Sequence, residues 1–391
     1  MHEVFMSRQP LVNRQSKIIA TRLRFYLGAT GNMLDATSAL TNLEDVWPKS
    51  EKPLFLSFGG ARCGAQLLDW NAPENAVIEL HGDDLVSAGG ADLVTALQTW
   101  QPTTCLHIDR QATQALATGL SFRFIGFDTK TLGLPQIKLL AARTRSHGMG
   151  IAFNVDATDE FQACMDAGIA AAASWFFTRP SGVYAKALNP GQTNIIRLLN
   201  LVRNNADVRE IEAALKQDVA ISYKLLRYIN SASLGLSCEI QSFRHAVTML
   251  GYNKLNRWLS LLLSTASKDP MAPAMMHTAM VRARLMELLA QGLVDKSEYD
   301  NLFITGAFSL LNVLFGVPTE QIVEAMRLPD PICDALLGNG GRYQPFLDLA
   351  RASEMDDGAP IAEQTAMLGL TADQFNRLQL QALSFAELIE F

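Results

Sequence analysis

Two hydrophobic rhythms divide the chain. From residue 1 to about 185, short runs of β-branched and aromatic residues alternate with stretches whose apolar positions recur every three or four residues. The runs at 4–7, 18–25, 54–58, 76–80, 104–108, 122–127, 150–155 and 171–177 predict strands, and 91–100, 134–146 and 159–167 predict helices between them. Thr158 reads as an N-cap with Asp159 and Glu160 in the first turn, and Gly148 as the residue closing the preceding helix. Strands alternating with helices indicate an α/β domain with a largely parallel sheet. Eight of them suit a TIM-like barrel, with an open doubly wound sheet as the alternative.

After the segment 180–190 the strand rhythm stops and the helical one takes over. Ile195, Leu198, Leu199 and Val202 mark one helix, and Asp207 with Glu210 reads as a capping box opening the next. Further helices are expected over 220–230, 243–250, 254–264, 275–291, 299–314 and 319–326, with Gly251, Gly292 and Gly316 as their closing glycines. The expected organisation is an α/β barrel over 1–187 and an all-α domain over 188–391.

Length and composition agree with two packed domains. The 391 residues are 49% hydrophobic and 18% charged, which leaves ample apolar material for two cores and excludes a disordered chain. The net charge of −6 divides as 16 Lys and Arg against 17 Asp and Glu up to residue 190, and 17 against 22 beyond it. Neither half has the basic field of a nucleic-acid binder, so no nucleic-acid partner is expected. The five cysteines are widely spaced, without a Cys-x-x-Cys pair, and the N-terminus shows no basic segment followed by an apolar run. No apolar run approaches the ~20 residues of a membrane span. The expectation is a cytoplasmic protein with no membrane insertion.

Chemistry is harder to find. The six histidines are scattered, with no His-Asp dipeptide, and neither Gly59-Gly60 nor the run 338–341 has phosphate-loop spacing. His245 reads as a structural histidine. Glu79, Asp109 and Asp128 each fall near the C-terminal end of an expected strand, where barrel active sites assemble. Converging there, they could hold Mg²⁺ or Ca²⁺; apart, they are strand-end caps.

Several segments carry a family resemblance. Ser7-Arg8-Gln9-Pro10-Leu11-Val12-Asn13-Arg14 and the closing Trp175-Phe176-Phe177-Thr178-Arg179-Pro180 are similar to EAL domains, the cyclic di-GMP phosphodiesterase fold. Asp218-Val219-Ala220-Ile221-Ser222-Tyr223-Lys224-Leu225-Leu226-Arg227-Tyr228-Ile229-Asn230-Ser231-Ala232, followed by the segment 240–247 and Leu250-Gly251, resembles HDOD domains. EAL followed by HDOD is a recurring architecture, and it implies an EAL-type barrel followed by an HD-related helical domain.

The resemblance also implies a two-metal hydrolytic site, and its positions are largely replaced in this chain. The family's Glu-Ala-Leu reads Arg22-Leu23-Arg24, its asparagine falls on Ser57 and its paired aspartates on Asp109 and Arg110. Its lysine falls on Gly126, a later glutamate on Phe153, a glutamine on Ala173 and a phosphate-gripping arginine on Tyr26. Gln9, Glu79, Asp109 and Asp128 keep their types. No metal, no cofactor and no catalysis are therefore expected. Arg22, Arg24 and Arg179 are candidate phosphate contacts, with Arg22 and Arg24 alternatively paired internally to Glu79 and Asp109. In the helical half, Tyr223, Lys224, Arg227 and Asn230 are candidate contacts to a protein partner. The reading is a non-catalytic signal-transduction or scaffold protein in cyclic di-GMP-linked regulation of biofilm and motility. Its partners would be regulatory proteins, including signalling enzymes, and a homodimer stays open. A non-hydrolysing cyclic di-GMP receptor and a residual metal-dependent phosphodiesterase are the alternatives.

Overall fold

The computed structural model describes residues 3–26, 33–58, 63–179, 188–217, 221, 243–264, 267 and 269–388. The motif holding Tyr223, Lys224, Arg227 and Asn230 lies outside them. The described residues form two compact units. One comprises residues 1–179, 273–277 and 348–390; the other comprises 180–272 and 278–347. The barrel unit thus takes back the chain's last stretch, which the sequence pattern had assigned with the helical half.

Eight strands close a barrel in chain order: β1 Phe5–Asn13, β2 Ile18–Tyr26, β3 Leu54–Ser57, β4 Ala76–Leu80, β5 Thr103–His107, β6 Phe124–Asp128, β7 Met149–Phe153 and β8 Ala171–Ala173. From β2 to β8 all pairings are parallel, but β1 runs antiparallel to both β2 and β8. The expected eight-stranded, largely parallel barrel is thus present, with β1 antiparallel to both its neighbours. A four-residue link joins β1 to β2, long enough for a hairpin and too short for a parallel crossover.

Alternate residues fill the interior. Leu11, Ala20, Phe55, Val77, Cys105, Phe124, Ile151 and Ala171 belong to one buried cluster, as a side-chain period of two requires. The seam between β1 and β8 is short. On β1, β8 pairs only with Leu11, Val12 and Asn13, leaving the preceding edge of β1 without a strand neighbour.

Side chains from the helix Ala372–Glu387 close that edge. The Asn376 amide accepts from the Met6 nitrogen (3.0 Å) and donates to the Val4 oxygen (2.7 Å), the two bonds a parallel neighbour would make to the residue between them. Gln379 donates to the Met6 oxygen (2.7 Å), and the Ser353 oxygen accepts from the Arg8 nitrogen (2.9 Å). Pro10, which has no N–H to satisfy, occupies the next outward position on this edge.

Some local expectations need correction. Thr158 is the first helical residue of Thr158–Asp166, and the cap is Ala157, which makes no side-chain cap bond. Gly148 does not close a helix with positive φ; it is needed because a Cβ there would lie 2.9 Å from the Phe122 oxygen. Asp207 caps Val208–Lys216 by accepting from the Arg209 nitrogen, without the reciprocal bond of a capping box. The expected helix over 299–314 is two, Tyr299–Phe308 and Leu311–Phe315, broken at Ser309 and Leu310.

The helical unit includes Pro190–Arg203, Val208–Lys216, Phe243–Ser264, most of Ala272–Leu289, Thr319–Met326 and Asp330–Leu337. Gly251, at φ +71°, kinks Phe243–Ser264 where two helices were expected to meet, and Gly292 and Gly316 also have positive φ. Arg203 ties two of its helices together, donating to Asn256 (3.1 Å) and to the Met326 oxygen (3.3 Å). Among the described residues, no helix is long and apolar enough to cross a membrane.

Candidate functional site at the barrel mouth

The residues that matter lie one step beyond the apolar interior. Two positions past the core residues of β2 to β8 come Arg22, Ser57, Glu79, His107, Gly126, Phe153 and Ala173, and Gln9 sits two before Leu11 on the reversed β1. Apart from His107, these are positions at which the resemblance placed the family's metal and catalytic groups. The strand period alone puts them on one level at the mouth.

A buried ion pair occupies this level. Arg22 Nε donates to Glu79 Oε1 (2.7 Å) and Nη2 to Oε2 (2.6 Å), a bidentate contact with side chains 7% and 1% exposed. Nη2 also reaches Ser57 Oγ (3.2 Å), and His107 Nε2 lies 3.0 Å from Glu79 Oε2. Phe153 floors the cluster: the Arg22 guanidinium lies 4.4 Å from its centroid and His107 stacks on it at 4.7 Å. His81 stacks in turn on His107, at 4.5 Å.

The electrostatics follow from these contacts. Burial works to raise the Glu79 pKa, but Arg22 and His107 outweigh it and hold the carboxyl well below the usual range. Burial works to lower the Arg22 pKa, and Glu79 more than offsets it, so the guanidinium stays charged. Burial and the neighbouring His107 push His81 down. A carboxylate and a guanidinium locked in this way neutralise each other, and with His107 they occupy three of the roughly four acceptor sites of Glu79.

The other carboxylates do not join them. Asp109 accepts from the Gly82 and Gln111 nitrogens, both at 2.8 Å, and Asp128 from the Lys130 nitrogen (2.8 Å) and Asn154 Nδ2 (3.0 Å). Both act as caps of turns, the second reading their spacing had left open. Among the described residues, no three His, Cys, Asp or Glu side chains are grouped to hold a metal ion. Gln9 is buried, with Oε1 unpartnered, opposite Arg22 in the β1–β2 register. Gly126 has no room for a longer side chain: a Cβ would stand 2.8 Å from the Phe153 ring. Arg110 and Arg179 are exposed and away from this cluster of contacts.

Arg24 pairs neither with Glu79 nor with Asp109. Its Nη1 meets Asp356 Oδ1 at 2.5 Å. Nearby, Arg8 holds Ser353 Oγ and Glu354 Oε1, each at 2.6 Å, and Tyr26 O–H reaches the Met355 oxygen (3.4 Å). Sequence reasoning missed this strap and the role of His107. The alternation that identified Arg22 and Glu79 would have found His107, two residues past Cys105; nothing local in the sequence ties 353–358 to β1 and β2.

Comparisons with known proteins fit this arrangement. Residues 189–311 match the HDOD domain family. Cyclic di-GMP phosphodiesterase CdgJ of Vibrio cholerae is 28% identical over 238 residues. The family match places an HDOD domain in the second half of the chain. The Vibrio match covers 61% of this chain and 55% of CdgJ, so the chain spans little more than half of that relative. YuxH of Bacillus subtilis is 23% identical over 376 residues, covering 90% of this chain and 91% of YuxH. Among solved structures, the FimX EAL domain of Pseudomonas aeruginosa bound to c-di-GMP is similar to part of this chain. It has a TM-score of 0.34, 14% identity, and coverage of 45% of this chain and 89% of that one.

Proposed function

We propose that this EAL–HDOD protein works by binding and not by hydrolysis, as a signal-transduction or scaffold protein in cyclic di-GMP-linked regulation of biofilm and motility, with regulatory proteins as partners. The observation that carries this reading is the Arg22–Glu79 pair. Where a two-metal phosphodiesterase needs an open carboxylate, the mouth has a guanidinium bound face to face with the remaining glutamate. A cation at that depth repels Mg²⁺ or Mn²⁺, and Asp109 and Asp128 are spent on backbone and amide donors. This donor set does not fit a two-metal centre. The Vibrio cholerae relative, a cyclic di-GMP phosphodiesterase by name, makes hydrolysis the competing reading.

Incubating the full chain with cyclic di-GMP and Mg²⁺ or Mn²⁺ tests it directly. The expected result is no linear dinucleotide above the protein-free control. Metal-dependent turnover that disappears in Glu79→Gln overturns the proposal.

A further inference from the structure

The strap 353–358 has two grips of different strength. Its base is buried: Arg8 and Glu354 are 4% and 8% exposed, and the Arg8 guanidinium also lies 5.9 Å from the Trp175 ring centre. Its tip is open: Asp356 is 43% exposed, the Arg24 partner 20%, and Met355 beside it 51%. Arg24 is two residues beyond Arg22 on the inward-facing row, so the Asp356 carboxylate stands over the mouth. Arg24 Nε is buried with no hydrogen-bond partner, so the tip leaves part of the guanidinium's donor capacity unused. Beyond the tip, Gly358 packs so closely on Tyr26 that a Cβ would lie 2.7 Å from its ring.

We propose that the strap is an autoinhibitory contact in which Asp356 acts as a built-in anion on Arg24, anchored by Glu354 on Arg8. A phosphate-bearing ligand then reaches the mouth only by displacing the tip. The exposed pair is weak enough to exchange, while the buried base keeps the strap attached. This inference rests on the binding reading above.

The test uses the full chain as wild type, Asp356→Asn, Asp356→Asn with Arg24→Gln, and Glu363→Gln, an exposed charge on the following helix that controls for net charge. Each is titrated calorimetrically at low salt with cyclic di-GMP and, separately, inorganic pyrophosphate. Hydrogen exchange of 353–358 is followed in parallel. Asp356→Asn should bind at least one probe about three- to tenfold more tightly than wild type. Its strap should exchange faster, while residues 372–387 stay protected. The gain should vanish without Arg24 and be absent in Glu363→Gln. Equal affinity in wild type and Asp356→Asn, including no binding by either, overturns the strap, as does a gain that survives loss of Arg24. A parallel turnover assay separates the two ideas: hydrolysis by the wild type removes the non-catalytic reading, whereas unchanged affinity without hydrolysis removes the strap alone.

Discussion

The guanidinium of Arg22 and the carboxylate of Glu79 share two hydrogen bonds, 2.7 and 2.6 Å long, at the level of the barrel where neither side chain reaches solvent. Removing one partner leaves the other charge buried and unpaired. Glu79→Gln should therefore cost about 3–5 kcal/mol, and Arg22→Met with Glu79→Gln clearly less than the sum of the two single changes. Urea unfolding of the four-member cycle measures the coupling, and additive costs would refute the pairing.

Stability should fall in mild acid because of His277. Burial first, then the positive fields of Lys52 and Arg8, push its pKa down to about 3 from an ordinary 6.5, and its Nε2 has no hydrogen-bond partner. The folded state thus refuses a proton that the unfolded chain accepts. The penalty is absent above pH 6.5 and grows as the pH falls toward 3, reaching about 3 kcal/mol near pH 4. Glu79, whose folded pKa is depressed, adds a loss in the same direction only below its ordinary value of 4.5. Thermal melts from pH 7 to 4 should show the decline, and His277→Leu should flatten it between pH 6.5 and 5. An unchanged slope in that variant refutes the assignment.

The helix Ala372–Glu387 should matter to the barrel out of proportion to its exposure. Asn376→Ala orphans the Met6 nitrogen and the Val4 oxygen together, a cost of about 2–4 kcal/mol. Arg377→Ala, one residue on, removes an ion pair to an Asp45 side chain that is 66% exposed and should cost under about 1 kcal/mol. Comparable losses for the two, measured by chemical denaturation, would contradict the seam.

Gly126→Ala should destabilise the mouth by about 1–3 kcal/mol, since the added methyl meets the Phe153 ring and crowds His107. A neutral effect in denaturant titration would mean the ring yields freely.

Period-two alternation made the barrel legible almost strand by strand. Phe55 and Ser57, Val77 and Glu79, Cys105 and His107 each announce an inward row whose second member lies at the mouth. The helices were legible where a glycine ended them, as at Gly251 and Gly316. What stayed hidden was long-range. Arg24 looked like a partner for Asp109, yet Asp109 is spent on Gly82 and Gln111, and the carboxylate that meets Arg24 arrives 332 residues later at Asp356. Asn376 and Gln379 read as ordinary helix polars, because a side-chain amide that imitates a strand leaves no mark in hydrophobic spacing.

The borrowed amides also set an order of events during synthesis. The eight strands leave the ribosome first, but Asn376 follows β8 by some two hundred residues. At roughly 5–20 residues per second, the edge of β1 waits ten seconds or more before its partners exist. Through that interval the nascent barrel presents unpaired backbone to any passing strand. A chain cut anywhere before 376 would keep that edge permanently open, making the C-terminal stretch a guard against self-association as well as a part of the fold.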